Sequence, residues 1–600
     1  MKHQVLKCVV LGVALVALVG CQSGPNIRFP GGPPSVPELV QYQAAGYTNR
    51  ISVTSETLPV RSIAYLESNR DIVSIPPMEA YIRGIMREIL EIAPNTSLDP
   101  ITLNVVITSD PITTAFINPR GDIVISLGAL ERLNSRGELA FLLALEVAHV
   151  ALGHFERDRF VLGFDRLLDS LKFVAIAQEF AEAIIENRAG ELSNFANEPQ
   201  IQIKVRQLLV AATAAELLLE AFVGPQWRSS QEAEADRFAL DMMLTLGYAP
   251  ASAQRVFNQF GLATVEQVEQ LQDLIYTVRD LVLEIQELSG QNEGIRGLVI
   301  TLVTDLSFRF AARSINGLVE IYGTPEERFE RLREYRDVAY TLGLVPIPEI
   351  LRPTPTDDFS AAKNGATFRR AVREVTGPWD ALAEFTQDQS EAREAAALAG
   401  TEDESAAPAD TTLARLSNQL VGSLLRFAGV PTQTTQYPRL VYAENAMSLG
   451  QSDQAIRELT RAQSSRLAGP AISAALVQGL AEDGQYVRAR ESIEVIERRF
   501  PGDGTQYPLR MIVAHEQGNI VLREELSRAC GGQDVAQYID DRCELLDARY
   551  RMADRFDDPG DVPSEPGTST DDAEPSEAEG NGGGGFGDFL RSIPLPEFGT

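Results

Sequence analysis

Gly450, Gly484 and Gly518 stand 34 residues apart, and this period constrains the fold more than any other feature of the chain. Ala443, Val477 and Met511 keep the same spacing, and Gln451-Ser452-Asp453-Gln454-Ala455 aligns with Gln485-Tyr486-Val487-Arg488-Ala489 at that offset. Small residues at fixed places in a helical hairpin let its two helices approach closely. No single hairpin can bury its own apolar face, so successive units must stack. Residues 416–553 are therefore predicted to form an α-solenoid, with Pro508 closing the second unit and Arg523 replacing the alanine in the third.

A 34-residue period with these small residues resembles the tetratricopeptide repeat. The resemblance implies a concave face that grips a segment of a protein partner.

The repeats fill only part of a chain of 600 residues, a length that suggests about three to five folded units. A hydrophobic fraction of 44% excludes a wholly disordered protein. The net charge of −31 argues against nucleic acid as a partner, because phosphate binding runs on clustered Lys and Arg. Much of that charge is local. Residues 384–410 carry −7 and residues 554–600 carry −10, so two solvated stretches, an acidic linker (353–415) and an acidic tail (554–600), hold over half of it. The linker allows one helix around Phe368 to Val375. After the glycine run of the tail, Phe586 to Phe598 reads either as a short docking motif or as a frayed end.

Met1 to Lys7 is basic and Cys8 to Gly20 is apolar, too short to span a bilayer and of the length of a signal-peptide core. Leu18-Val19-Gly20-Cys21 resembles a bacterial lipobox. The resemblance implies cleavage after a signal peptide of residues 1–20, lipidation of Cys21, and a tether over 21–50. Gln22, in place of an acidic residue, points to the outer membrane rather than the inner. The mature chain would then be periplasmic and touch the membrane by its lipid anchor only. In that oxidising compartment, Cys530 and Cys543 are placed to form a disulfide.

Chemistry concentrates in residues 51–352. Strand-like runs at Ile101 to Ile107 and Gly121 to Ser126 precede long helices, and Val268, Leu271, Ile275, Val278, Val282 and Ile285 form a seam for helix packing. Between them runs Gly137-Glu138-Leu139-Ala140-Phe141-Leu142-Leu143-Ala144-Leu145-Glu146-Val147-Ala148-His149-Val150-Ala151-Leu152-Gly153-His154. A zinc peptidase helix carries histidines at i and i+4 on one face, with a Glu after the first as general base. Glu146 and His149 fit that register, but Leu145 occupies the first position. Glu232 and Asp236, one helical turn apart, would offer a third ligand and a supporting carboxylate.

These residues resemble the zinc metallopeptidases that include the CAAX prenyl proteases, HtpX and the β-barrel assembly-enhancing protease. Ala115-Phe116-Ile117-Asn118-Pro119-Arg120-Gly121, the helix above, Glu232 to Asp236, Gly247-Tyr248-Ala249-Pro250 and Thr324-Pro325-Glu326-Glu327-Arg328 follow the family's motifs in order over about residues 60–340. The resemblance implies an α+β, mostly α fold: a helical gluzincin-like domain with a small β-sheet. It implies Glu146 as general base, His149 and Glu232 as zinc ligands, and Asp236 as the carboxylate that orients a ligand histidine. Ile123, Val124, Ile125 and Ser126 would be the edge strand that holds substrate.

Leu145 cannot bind zinc, and the family's T-H-P histidine is absent from Gly323-Thr324-Pro325. Two ligands remain where hydrolysis needs three. His154, five residues beyond His149, reaches the site only across a distorted turn, and His515 lies among the repeats. The residues therefore predict a degenerate zinc site that binds polypeptides in envelope protein quality control or assembly. The alternative is an active zinc metalloendopeptidase with an unusual ligand set.

Overall fold

The computed structural model describes residues 37–45, 51–56, 71–93, 100–110, 113–118, 120–154, 229–261, 324–342, 358–378 and 434–448, most of 451–531, and parts of 276–283 and 539–551. Isolated positions at 205, 208 and 212 are also described. Cys21 and the leader, most of the 268–285 seam, residues 379–415 and the tail lie outside the described residues. No described helix is long and apolar enough to cross a membrane.

A short helix, α1 (Glu38–Ala44), leads into a four-stranded mixed sheet: β1 (Ile51–Val53), β2 (Ile101–Thr108), β3 (Ala115–Ile117) and β4 (Asp122–Ser126), in the order β1-β2-β4-β3. β2 runs parallel to β1 and β4, and β3 runs antiparallel to β4, with Phe116 opposite Val124. Every residue of β4 is buried, as expected of an apolar, β-branched strand with neighbours on both sides. Asp122 at its start is buried too. It is satisfied by the side-chain amides of Asn104 (2.9 Å) and Asn118 (3.0 Å), which fix the β3–β4 hairpin.

Helices α2 (Pro76–Leu90), α3 (Leu127–Arg132), α4 (Arg136–Ala151) and α5 (Ser229–Thr245) surround this sheet. α4 is apolar around nearly its whole circumference, which makes it the central helix of the domain rather than a surface one. The Ser135 hydroxyl caps its first turn by accepting from the Glu138 amide at 3.3 Å. α4 packs along α5, and α2 and β3 lie against its other sides.

α1 docks on α5 and on α6 (Pro325–Arg336), which continues into a π-helical turn at Asp337–Leu342. The buried Asp241 of α5 accepts from Tyr335 (2.7 Å), Tyr340 (2.6 Å) and the Leu39 amide (3.0 Å), while Arg237 pairs with Glu38 at 2.6 Å. Residues 37–45 of the expected 21–50 tether are thus part of the folded domain. Residues 358–378 of the expected 353–415 linker are likewise structured. α7 (Phe359–Lys363) stacks Phe359 on Tyr81, and helical 366–378 buries Phe368, Ala371 and Val375.

Six further helices form three pairs: α8 (Tyr437–Ser448) with α9 (Ser452–Gln463), α10 (Pro470–Glu482) with α11 (Tyr486–Arg499), and α12 (Gln506–Glu516) with α13 (Ile520–Gly531). The periodic positions Ala443, Val477 and Met511 are all fully buried, as are Ala455 and Ala489. Arg523, at the third alanine position, is 1% exposed. Its guanidinium lies 3.2 Å from His515 Nδ1, and His515 stacks on Tyr550 at 3.8 Å. His515 therefore serves the packing of its own unit. A disulfide joins Cys530 to Cys543 and ties the segment carrying Tyr550 to α13.

Asp71 fastens these helices to the sheet domain. Its Oδ1 accepts from the Gly469 amide (2.8 Å), and its Oδ2 from the Gln436 amide (3.0 Å) and the Thr435 hydroxyl (3.1 Å). These donors lie at the N-termini of α10 and α8, where backbone N–H groups lack partners within the helix. Gly469 is required by the closeness: a Cβ there would come within 2.1 Å of Asp71 Oδ1.

Candidate functional site

The pairing of α4 with α5 brings Glu146, His149, Glu232 and Asp236 together beneath the sheet edge, and all four are buried. His149 Nε2 lies 3.8 Å from Glu232 Oε1. Leu145, one helical turn before His149, is a half-buried member of the apolar core and supplies no donor atom.

His154 reaches the site because α4 stops in time. Gly153 adopts a left-handed conformation (φ 64°) and closes the helix with a bond to the Val150 carbonyl at 3.0 Å. The reversed chain lays the His154 ring against His149, Nδ1 to Nδ1 at 2.9 Å. Each neutral imidazole carries one N–H, so one ring donates and the other accepts. Burial, with smaller contributions from His154 and the Arg328 charge, holds His149 well below the usual histidine range and therefore neutral. The far edge of His154 faces Glu234 (Nε2 to Oε2, 3.5 Å), whose other oxygen accepts from Tyr42 at 3.2 Å.

Arg328 supplies the positive charge of the site. Thr324 and Glu327 form a reciprocal capping box with Pro325 in the first turn, so α6 begins at a fixed point and presents Arg328 one turn in. Its guanidinium donates to both oxygens of Asp236 (3.1 and 2.6 Å) and to Glu232 Oε2 (3.0 Å), and lies 4.5 Å from the centre of the Phe257 ring. This corrects the role expected of Asp236. Its carboxylate orients an arginine, and the ring that contacts His149 is His154.

Glu146 is buried, and its Oε2 has no partner among the described residues. Burial, reinforced by the nearby Glu232 charge, raises its pKa to about 8, against a smaller pull from the Ile117 backbone. Burial likewise lifts Glu232 to about 7, with the Arg328 charge opposing.

The strand expected to hold substrate is not at the edge. Ile123, Val124, Ile125 and Ser126 lie in β4, hydrogen-bonded on both sides, because the Asn118–Asp122 turn folds β3 over the flank that β4 would otherwise expose. Among the described residues, β3 is the edge strand. Bonds from the Ser126 amide to the Thr114 carbonyl and from the Asn118 amide to the Asp122 carbonyl commit alternate residues to β4. Ala115 and Ile117 therefore direct their backbone groups outward.

The donor set does not make a hydrolytic zinc site, which needs three protein ligands and an open position. His149 Nε2 and Glu232 Oε1 face each other, but Asp236 and the second Glu232 oxygen are taken by a guanidinium. No group of three or more His, Cys, Asp or Glu side chains is placed to hold a metal among the described residues. Sequence reasoning missed Arg328, and it allowed His154 only across a distorted turn. The T-P-E-E-R capping box and the Gly153 stop signal were legible in the chain and would have located both.

Residues 78–335 match the family model described as Peptidase family M48. No curated protein matches the chain.

Proposed function

We propose that this chain, whose residues 78–335 form a peptidase family M48 domain, uses that domain to bind extended polypeptides without a catalytic zinc ion. The observation that carries this reading is the bidentate Arg328–Asp236 pair with its third bond to Glu232. A monovalent guanidinium neutralises the carboxylates that a divalent ion would otherwise balance, and Leu145 completes the change on the facing helix. What the fold retains is a binding edge. β3 presents Ala115 and Ile117 for main-chain pairing, which reads backbone rather than sequence and suits unfolded clients.

The leader reading supports a lipid anchor at Cys21 and a periplasmic, outer-membrane location, and the Cys530–Cys543 bridge suits an oxidising compartment. In this account the helical pairs at 437–531 act as tetratricopeptide-type repeats that recruit a protein partner. The whole chain would serve envelope protein quality control or assembly.

One observation favours the alternative, an active zinc metalloendopeptidase. His149 Nε2 and Glu232 Oε1 remain face to face at 3.8 Å. Incubation of the purified protein with casein separates the two readings. Retention of intact casein is expected. Cleavage that Glu146→Gln abolishes would overturn the binding reading.

A further inference from the structure

We infer that the C-terminal segment Phe586 to Phe598 docks in cis on an aliphatic patch at the first turns of α11 and α13. A partner of the last two helical pairs must then displace it. This contact is independent of the polypeptide-binding reading of the sheet domain.

The 34-residue period makes Val487 and Val521 equivalent positions of successive units, each in the first turn of the unit's second helix. Val487 is 64% exposed and Val521 69%, and Ile520 and Leu522 beside Val521 are exposed as well. The first unit carries Asp453 at this place, flanked by Ser452 and Gln454, and its helix still forms and buries Ala455, the counterpart of Ala489. The repeat fold therefore does not call for aliphatic side chains there. Single exposed aliphatics are ordinary, but four of them at matching positions mark a contact surface. Tyr486 draws the two helix starts together. Its hydroxyl donates to the Glu516 carbonyl at 2.5 Å, just ahead of the left-handed Gly518 from which α13 departs.

The course of the chain supplies an occupant. Tyr550 stacks on His515 at 3.8 Å, and the Arg523 guanidinium lies 5.8 Å from the centre of its ring. The described chain thus ends at Arg551, beside the turn between α12 and α13. Residues 552–585 follow, rich in Pro, Gly, Ser, Asp and Glu, and a chain of that composition and length spans roughly 30–35 Å. α13 is only about 18 Å long, so a segment beginning at Phe586 can reach the whole patch. Tethering at this length holds it at a local concentration on the order of millimolar. Phe586, Phe589, Leu590, Ile593, Leu595 and Phe598 bring large apolar side chains, of which residues 559–585 carry only Val562.

Amide hydrogen exchange on the full-length protein tests the contact. In wild type the amides of Phe589 to Ile593 should exchange at least about tenfold more slowly than in a free peptide of residues 586–600. Val487→Asp combined with Val521→Asp gives both units the residue that the first unit carries, and an acidic side chain in a first turn suits the helix. In that variant the tail should exchange at the free-peptide rate, with the melting temperature unchanged. Phe589→Ser with Leu590→Ser, which leaves the repeats untouched, should release the tail equally. A tail that exchanges like the free peptide in wild type, or protection that survives the paired aspartates, would overturn the docking. So would protection that disappears on dilution together with a dimer in sedimentation, since a second copy would then cover the patch.

Discussion

Arg328 donates to both oxygens of Asp236, at 3.1 and 2.6 Å, and the pair is nearly buried. The same guanidinium reaches Glu232, so two carboxylates from successive turns of α5 share one cation from α6. This relationship explains how two buried carboxylates so close together remain folded. Without Leu145 as a ligand the carboxylates need another counter-charge, and the capped start of α6 delivers it.

Substituting Arg328→Met should therefore cost more than the loss of a surface ion pair. Removing one member of a buried pair typically costs about 3–5 kcal/mol, because the remaining charge stays desolvated. Arg328→Lys should recover only part of this, since an ammonium cannot make the bidentate contact with Asp236. Urea unfolding of the two variants tests both statements. A change below about 1 kcal/mol for Arg328→Met, the range of exposed pairs, would contradict them.

Asp71 should control how firmly the repeats hold the sheet domain. Asp71→Ala leaves the Gln436 and Gly469 amides and the Thr435 hydroxyl without their acceptor, a cost of about 1–3 kcal/mol for each buried group left unsatisfied. Gly469→Ala should act alike by driving a methyl group into the Asp71 carboxylate. Calorimetry should resolve the single transition of the wild type into two in either variant, and a protease should cut between the domains sooner.

Three buried carboxylates outside the candidate site make stability depend on pH in an unusual direction. Burial raises Asp71 and Asp241 to about 6 and Glu38 to about 7, above their values in an unfolded chain. Each folded form thus binds its proton more tightly than the unfolded form. The stabilisation from protonation is complete below the unfolded pKa and is lost as pH rises through the folded one. The melting temperature should rise as pH falls from 8 to 5, and Asp71→Asn and Asp241→Asn should each flatten the trend. A melting temperature that falls over this range would contradict the assignment.

Reduction of the Cys530–Cys543 bridge should loosen the last repeat. A loop of about fifteen residues closed by a disulfide contributes about 3 kcal/mol in the chain-entropy account. Cys530→Ser with Cys543→Ser should lower the stability of the repeats by that order and free Tyr550 from His515, measurable as a change in near-ultraviolet circular dichroism.

Much of this architecture was legible in the chain because it rests on local patterns. The 34-residue period placed Ala443, Val477 and Met511 in the core of successive helical pairs, where the structure buries all three. The spacing of Glu146 and His149, and of Glu232 and Asp236, put each pair one helical turn apart, and the packing of α4 on α5 unites them. What could not be read was long-range. The edge position depends on which way the Asn118–Asp122 turn folds β3, so Ile123 to Ser126 looked like an edge and proved to be a centre. The partner of Asp236 comes from Arg328, 92 residues away, and no local periodicity reports such a contact. His154 could reach the site only across a distorted turn. Gly153 ends that helix, and the ring arrives from the turn beyond.

The central proposal is that the domain at residues 78–335 works without a metal ion, and the zinc content of the full-length protein tests it most directly. Protein purified and equilibrated with zinc, then freed of loosely bound ions, should carry far less than one zinc per chain by elemental analysis, and Glu232→Ala should not change that figure. One zinc per chain in the wild type, lost on Glu232→Ala, would contradict the account.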